Sequence, residues 1–176
     1  MQNRYIMTAF GKDRPGIVAD VTSLLYETGC NLEDTTMSML SDEFTINLLF
    51  SSNDEKIEEK LLDCCRELER TRGISAFIRP LKARGVVSQP NTAIATIHVE
   101  GLDQAGIVYK ISQYLADNSL NIIDLKSTVK TTPESGTSLY LMDIHIQLSG
   151  SATAQAIEEG LNDVAEELNV EISVTT

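Results

Sequence analysis

The stretch Gly11-Lys12-Asp13-Arg14-Pro15-Gly16-Ile17-Val18 decides the reading of this chain, because it occurs twice. Shifted by 90 positions, Gly11, Asp13, Gly16, Ile17, Val18, Leu25, Asn31 and Asp34 fall on Gly101, Asp103, Gly106, Ile107, Val108, Leu115, Asn121 and Asp124, eight identities in 24 positions. Further along the offset grows. At 98 it lays Phe44, Ile46, Leu48 and Phe50 on Met142, Ile144, Ile146 and Leu148, and at 100 it lays Ile57-Glu58-Glu59 on Ile157-Glu158-Glu159. Apolar register kept through three segments marks an internal duplication with insertions, the larger one near Pro133 and Gly136.

Each copy reads as six elements. Tyr5–Phe10 is a strand running into Gly11. Ile17, Val18, Val21, Leu24 and Leu25 recur at helical spacing, so Pro15–Thr28 is a helix with proline near its start and Gly29 past its end. Leu32–Leu40 and Phe44–Ser51 are strands joined at Ser41-Asp42, the second alternating Phe44, Ile46, Leu48, Phe50. Ser52-Asn53-Asp54-Glu55 has the form of a capping box. It opens a helix carrying Ile57, Leu61, Cys64, Cys65 and Leu68, and Ala76–Leu81 is a last strand. The second copy repeats the order with strands Ala93–Glu100, Ile122–Lys130, Ser138–Leu148 and Glu171–Val174, and helices Ala105–Asn118 and Thr153–Leu168. The fold class is therefore α+β, two ferredoxin-like βαββαβ domains in tandem with helices on one face of each antiparallel sheet. The boundaries are 1–82 and 91–176, with 83–90 (Gly85, Ser88, Pro90) as linker. Units of this size gain from packing against another sheet or subunit, which favours a homo-oligomer.

Charge excludes one class of function. The net is −12, with ten Lys and Arg against fourteen Asp and Glu in residues 1–82, and three against twelve in 91–176. Binding to nucleic acid rests on neutralising phosphates with bases. The one basic cluster (Arg66, Arg70, Arg72, Arg79, Lys82, Arg84) falls largely at a helix C-terminus, where bases complement the dipole. No apolar run suits a membrane span and no signal peptide opens the sequence, so a cytoplasmic location is expected.

Catalysis and metal binding find no support. Cys30, Cys64 and Cys65 are odd in number, Cys64 and Cys65 are adjacent, and no zinc spacing is present. Cys64 and Cys65 read as core, matched by Val164 and Ala165. His98 and His145 lie on strands facing away from the helices, without an evident carboxylate partner. No nucleophile has a base partner and no phosphate loop is present, so the chain is not expected to be an enzyme and calls for no cofactor.

The turn itself has two readings. A helix N-terminus offers free N–H groups to a carboxylate, Gly16 lets a ligand approach, and Asn31 offers donors and an acceptor to an amino acid. Equally, Asp13 caps the helix, Pro15 starts it, and Asn31 stabilises a turn.

The pattern Asp13-Arg14-Pro15-Gly16-Ile17-Val18 followed by Gly29-Cys30-Asn31-Leu32-Glu33-Asp34 resembles the ACT domain, a βαββαβ amino-acid-sensing module. The resemblance covers nearly the whole chain and is diffuse in the second copy, where Gln104 and Ala105 replace Arg14 and Pro15. It implies ligand binding at the first strand–helix turn, where two domains meet. The site would comprise Gly11, Asp13, Arg14, Pro15, Gly16, Ile17 and Asn31, together with Asp103, Gly106, Ile107 and Asn121. Tandem pairs with Met39-Leu40-Ser41-Asp42-Glu43-Phe44-Thr45 after the second strand resemble the ACT regulators that repress glycine cleavage. This implies a small amino acid as ligand, glycine first, and action through a LysR-type activator rather than on DNA. The competing expectation is a ligand-independent interaction module.

Overall fold

The computed structural model describes residues 3–81, 93–131, 136–148 and 153–176. The chain divides into two compact units, Met1–Val87 and Ser88–Thr176. The linker expected at 83–90 lies outside the described residues.

In the first unit, β1 (Asn3–Lys12), α1 (Ile17–Glu27), β2 (Asn31–Leu40), β3 (Glu43–Ser52), α2 (Ile57–Arg72) and β4 (Ser75–Leu81) follow one another. The strands form one antiparallel sheet in the order β2-β3-β1-β4. The second unit has β5 (Ile94–Leu102), α3 (Ile107–Asp117), β6 (Asn121–Thr131), β7 (Ser138–Gln147), α4 (Ala154–Leu168) and β8 (Val170–Thr175). Its sheet order is β6-β7-β5-β8, so the duplicated βαββαβ architecture is present in full.

Side-chain alternation builds each core. Tyr5, Met7 and Ala9 of β1 and Phe44, Ile46, Leu48 and Phe50 of β3 point to the helices and are buried. Tyr5 and Phe50 stack at 5.6 Å between ring centroids. They meet Ile17, Val21, Leu24 and Leu25 of α1 and Ile57, Leu61, Cys65 and Leu68 of α2. Val18 does not join this stripe: it is 38% exposed, as is its counterpart Val108 at 40%. Burial of roughly 2 kcal/mol per large apolar side chain is the main term holding such a layer.

The strand pairing corrects the repeat. Gly11 lies opposite Phe44 and Gly101 opposite Tyr140, so β3 and β7 correspond at an offset of 96 rather than 98. Phe44 therefore matches Tyr140, and Ile46 matches Met142. A slip of two residues preserves which face each side chain takes, and so alternation alone cannot detect it. The extra residues divide between a longer β6–β7 hairpin and the connection from β7 to α4. Both units carry a bulge early in the outer strand, between Leu32 and Asp34 and between Ile122 and Asp124.

The capping box does not form at α2. That helix starts at Ile57, and Glu55 caps nothing; instead the Asp54 carboxylate accepts the Lys56 amide at 2.9 Å. The Asp54 amide in turn donates to the Ser52 hydroxyl at 3.2 Å. At α4, Thr153 is a true N-cap, accepting from the Ala156 amide.

Candidate functional site

Gly11 ends the buried part of β1 because the chain entering β4 passes over it: a Cβ there would stand 3.0 Å from the Gly73 carbonyl oxygen. Gly101 does the same in the second unit, where a Cβ would meet Val170 Cγ1 at 2.6 Å. Gly11 is thus a packing residue. The backbone then turns, and the Asp13 amide donates to the Asp42 carbonyl at 2.8 Å, tying the turn to the β2–β3 hairpin. The Asp103 amide makes the matching bond to the Ser138 carbonyl at 3.1 Å.

Gly16 and Gly106 occupy the left-handed region, at φ of 87° and 99°. Nothing lies within 4 Å of a Cβ built on either, so glycine is required for backbone conformation and not for close packing. The capping role open to Asp13 is not taken, since no side chain caps α1 or α3. The Gly16 carbonyl accepts from Asp20, and the Arg14 carbonyl from Ile17. The amides of Gly16, Val18 and Ala19 are left without an acceptor among the described residues. Three free N–H groups at the positive end of a helix dipole are donors of the kind that hold an anion.

Side chains around the two turns differ. Arg14 is held by Asp20 at 2.6 Å, and Arg72 approaches the same carboxylate at 4.0 Å. Asp20, on the first turn of α1, is therefore neutralised from two sides. In the second unit Lys110 stands at the equivalent position and pairs with Glu167, while the Gln104 amide donates to the Leu168 carbonyl. Repeat arithmetic alone could have flagged this exchange of Asp20 for Lys110. Pro15 is exposed at the turn, whereas Ile17 and Ile107 are only 3% and 2% exposed and serve as core anchors below it.

Asn31 is placed elsewhere. It pairs with Ser51, which pairs with Arg4, whereas the turn follows Lys12 at the other end of β1. Eight residues of strand separate the two ends by roughly 26 Å. Asn121, opposite Gln147 at the Ile94 end of β5, is as far from Asp103 and Gly106. Within one unit the structure does not bring either asparagine to its turn.

The remaining candidates are accounted for. Arg66 pairs with Asp63, and Arg70 takes both carboxylate oxygens of Glu67, so much of the basic cluster is internally neutralised. Burial pushes the Cys65 thiol up to about 11, and burial raises Cys64 too, helped by Glu27 and Asp63. Neither is an activated nucleophile. The histidines do have carboxylate neighbours that sequence reading missed: His98 Nδ1 lies 2.6 Å from Asp143, and His145 Nδ1 lies 3.5 Å from Asp124. Asp143, two residues before His145 and opposite His98, became visible only through the pairing of β5 with β7. Among the described residues no cluster of three or more His, Cys, Asp or Glu is arranged to hold a metal ion. No described helix is long and apolar enough to cross a membrane.

Two βαββαβ units, each with an uncapped strand–helix turn on a left-handed glycine, define a tandem ferredoxin-like architecture. The ACT domain family model matches residues 3–74, which span β1 to α2 of the first unit. It is 26% identical over 173 residues to the glycine cleavage system transcriptional repressor of Escherichia coli, covering 98% of this chain and 90% of that protein. A UPF0237 protein of Methanopyrus kandleri is 36% identical over 70 residues, 37% of this chain and 78% of its own. Among solved structures, an unknown protein from Galdieria sulphuraria superposes with a TM-score of 0.76 at 25% identity, covering 99% and 98% of the two chains.

Proposed function

We propose that this chain is an amino-acid-responsive regulator that acts through a protein partner. The observation that carries the reading is the trio of unpartnered amides at Gly16, Val18 and Ala19, on the turn where the ACT resemblance implies a ligand. A carboxylate seated there gains charge-assisted hydrogen bonds and the favourable end of the α1 dipole. Glycine is the first ligand to test, since the full-length relative in Escherichia coli is a glycine cleavage system transcriptional repressor. Asn31, being far from its own turn, contributes to such a site only from a second ACT unit, as in a homo-oligomer. A protein of net charge −12 is poorly suited to grip DNA directly, and a LysR-type activator is the partner we favour. Catalysis has no place in this reading.

Isothermal titration against glycine and a panel of small amino acids tests the proposal. Gly16→Val, which forces a β-branched side chain into a left-handed conformation, should abolish binding, with circular dichroism confirming that the unit still folds. Gly16→Asn, which tolerates that conformation, should bind. Absence of binding by the unmodified protein, or binding indifferent to Gly16→Val, sinks the site.

A further inference from the structure

The outer face of the first sheet, away from α1 and α2, carries more apolar surface than a solvated sheet needs. Phe10 and Phe77 stack there at 6.1 Å and are 42% and 64% exposed, with Ile6 and Leu49 beside them. The pairing of the four strands arranges this face in rows. One row crosses the sheet as Asp34, Leu49, Ile6, Arg79, with an acid on the β2 edge, two apolar residues in the middle and a base on the β4 edge. The next is Thr36, Asn47, Thr8, Phe77, in which the Thr8 hydroxyl donates to the Asn47 amide oxygen at 2.7 Å. At the end of the sheet Glu43 lies opposite Lys12.

The charged rows are self-complementary, while Phe77 meets Thr36. A two-fold axis parallel to the strands, between β3 and β1, lays each row on its own reverse. Asp34 then faces the second copy's Arg79, Leu49 faces its Ile6, and Glu43 faces its Lys12. Arg79 makes no ion pair with a described residue of its own chain. A two-fold axis across the strands along the Asp34–Arg79 row would instead set Asp34 on Asp34 and Arg79 on Arg79. The second unit lacks this property: its row Thr128, Leu141, Glu100, Glu171 would press a carboxylate onto a leucine.

We propose that the outer face of the first sheet is a homodimer interface, with a second copy of the chain packed on it face to face about this axis. Aligned sheet-on-sheet packing of this kind interdigitates side chains of the two facing layers. Four strands over about seven residues give a footprint of roughly 450 Å² per copy. A stable interface typically buries about 800 Å² per partner, so the dimer dissociates on dilution. The interface leaves the α1 turn free and does not depend on ligand binding.

Sedimentation equilibrium of the full chain across a concentration series tests it. Asp34→Arg and Arg79→Asp each create two like-charge contacts and should weaken the dimer roughly tenfold or more. The Asp34→Arg/Arg79→Asp double variant should restore it. So should an equimolar mixture of the two single variants, because each then faces its opposite. In one sheet these residues are three strand spacings, about 14 Å, apart, so restoration by mixing reports contact between copies. A monomer at every concentration, a dimer indifferent to both single changes, or failure of the mixture to restore it overturns the proposal.

Discussion

The Tyr114 hydroxyl fills the space that a side chain at Gly160 would need, so where α3 and α4 meet any larger residue must displace Tyr114. A helix-interior glycine is otherwise a cost of about 1 kcal/mol relative to alanine. Here overpacking, worth roughly 1–3 kcal/mol, outweighs that gain. Gly160→Ala should lower the denaturation midpoint of the second unit. In a Tyr114→Ala background the same change should become stabilising, and a double-mutant cycle in urea measures the reversal.

Gly16 and Gly106 make the opposite case, since space is free and only the backbone angle is special. Alanine at either position should cost about 1 kcal/mol, from the left-handed conformation alone. Asparagine should cost less. Equal losses for alanine and asparagine would show that something other than φ is at stake.

Cys65 couples stability to alkaline pH. Its thiol is raised by burial from an ordinary 9.0 to about 11, so the native state holds the proton more tightly than the unfolded chain. The contribution is complete below pH 9 and is lost as pH rises through about 11. Cys65→Ala should flatten the stability profile in that window, while lowering stability below it through the cavity it leaves. Alkylation of the native protein near pH 8, followed by mass spectrometry, should modify Cys65 last of the three thiols.

At α2 the helix start depends on Asp54 and not on Glu55. The Asp54 carboxyl is held below its usual range first by Lys60, 2.6 Å away, and then by the Lys56 amide. Asp54→Ala should lower the thermal midpoint and Glu55→Ala should leave it unchanged. Because the Asp54 pKa is depressed, its contribution is present at neutral pH and disappears as pH falls below about 3.8.

A single sequence discloses buried faces more readily than pairing register. The architecture was legible because alternation in Phe44–Phe50 and helical spacing in Ile17–Leu25 report which face is buried, and duplication states the message twice. Pairing register is not legible, because a period of two is blind to a slip of two, and so alternation fits Phe44 to Met142 as well as to its true counterpart Tyr140. The capping box failed for a related reason. Ser52 accepts the Asp54 amide and Asp54 accepts the Lys56 amide, and a tetrapeptide pattern does not say which of its carboxylates wins. Asn31 and Gly16 are close in the sequence pattern and distant in space, since a helix returns the chain to the far end of the sheet before Asn31 is reached.

The donor set at the start of α1 is made of peptide groups, which every residue except proline supplies. Mutation can rewrite the side chains around such a feature without erasing it, provided one glycine keeps its angle. The second copy has exchanged Arg14 for Gln104, Pro15 for Ala105 and Asp20 for Lys110, yet Gly106 holds the same backbone. After gene duplication, then, letters can diverge while the backbone they decorate keeps its shape.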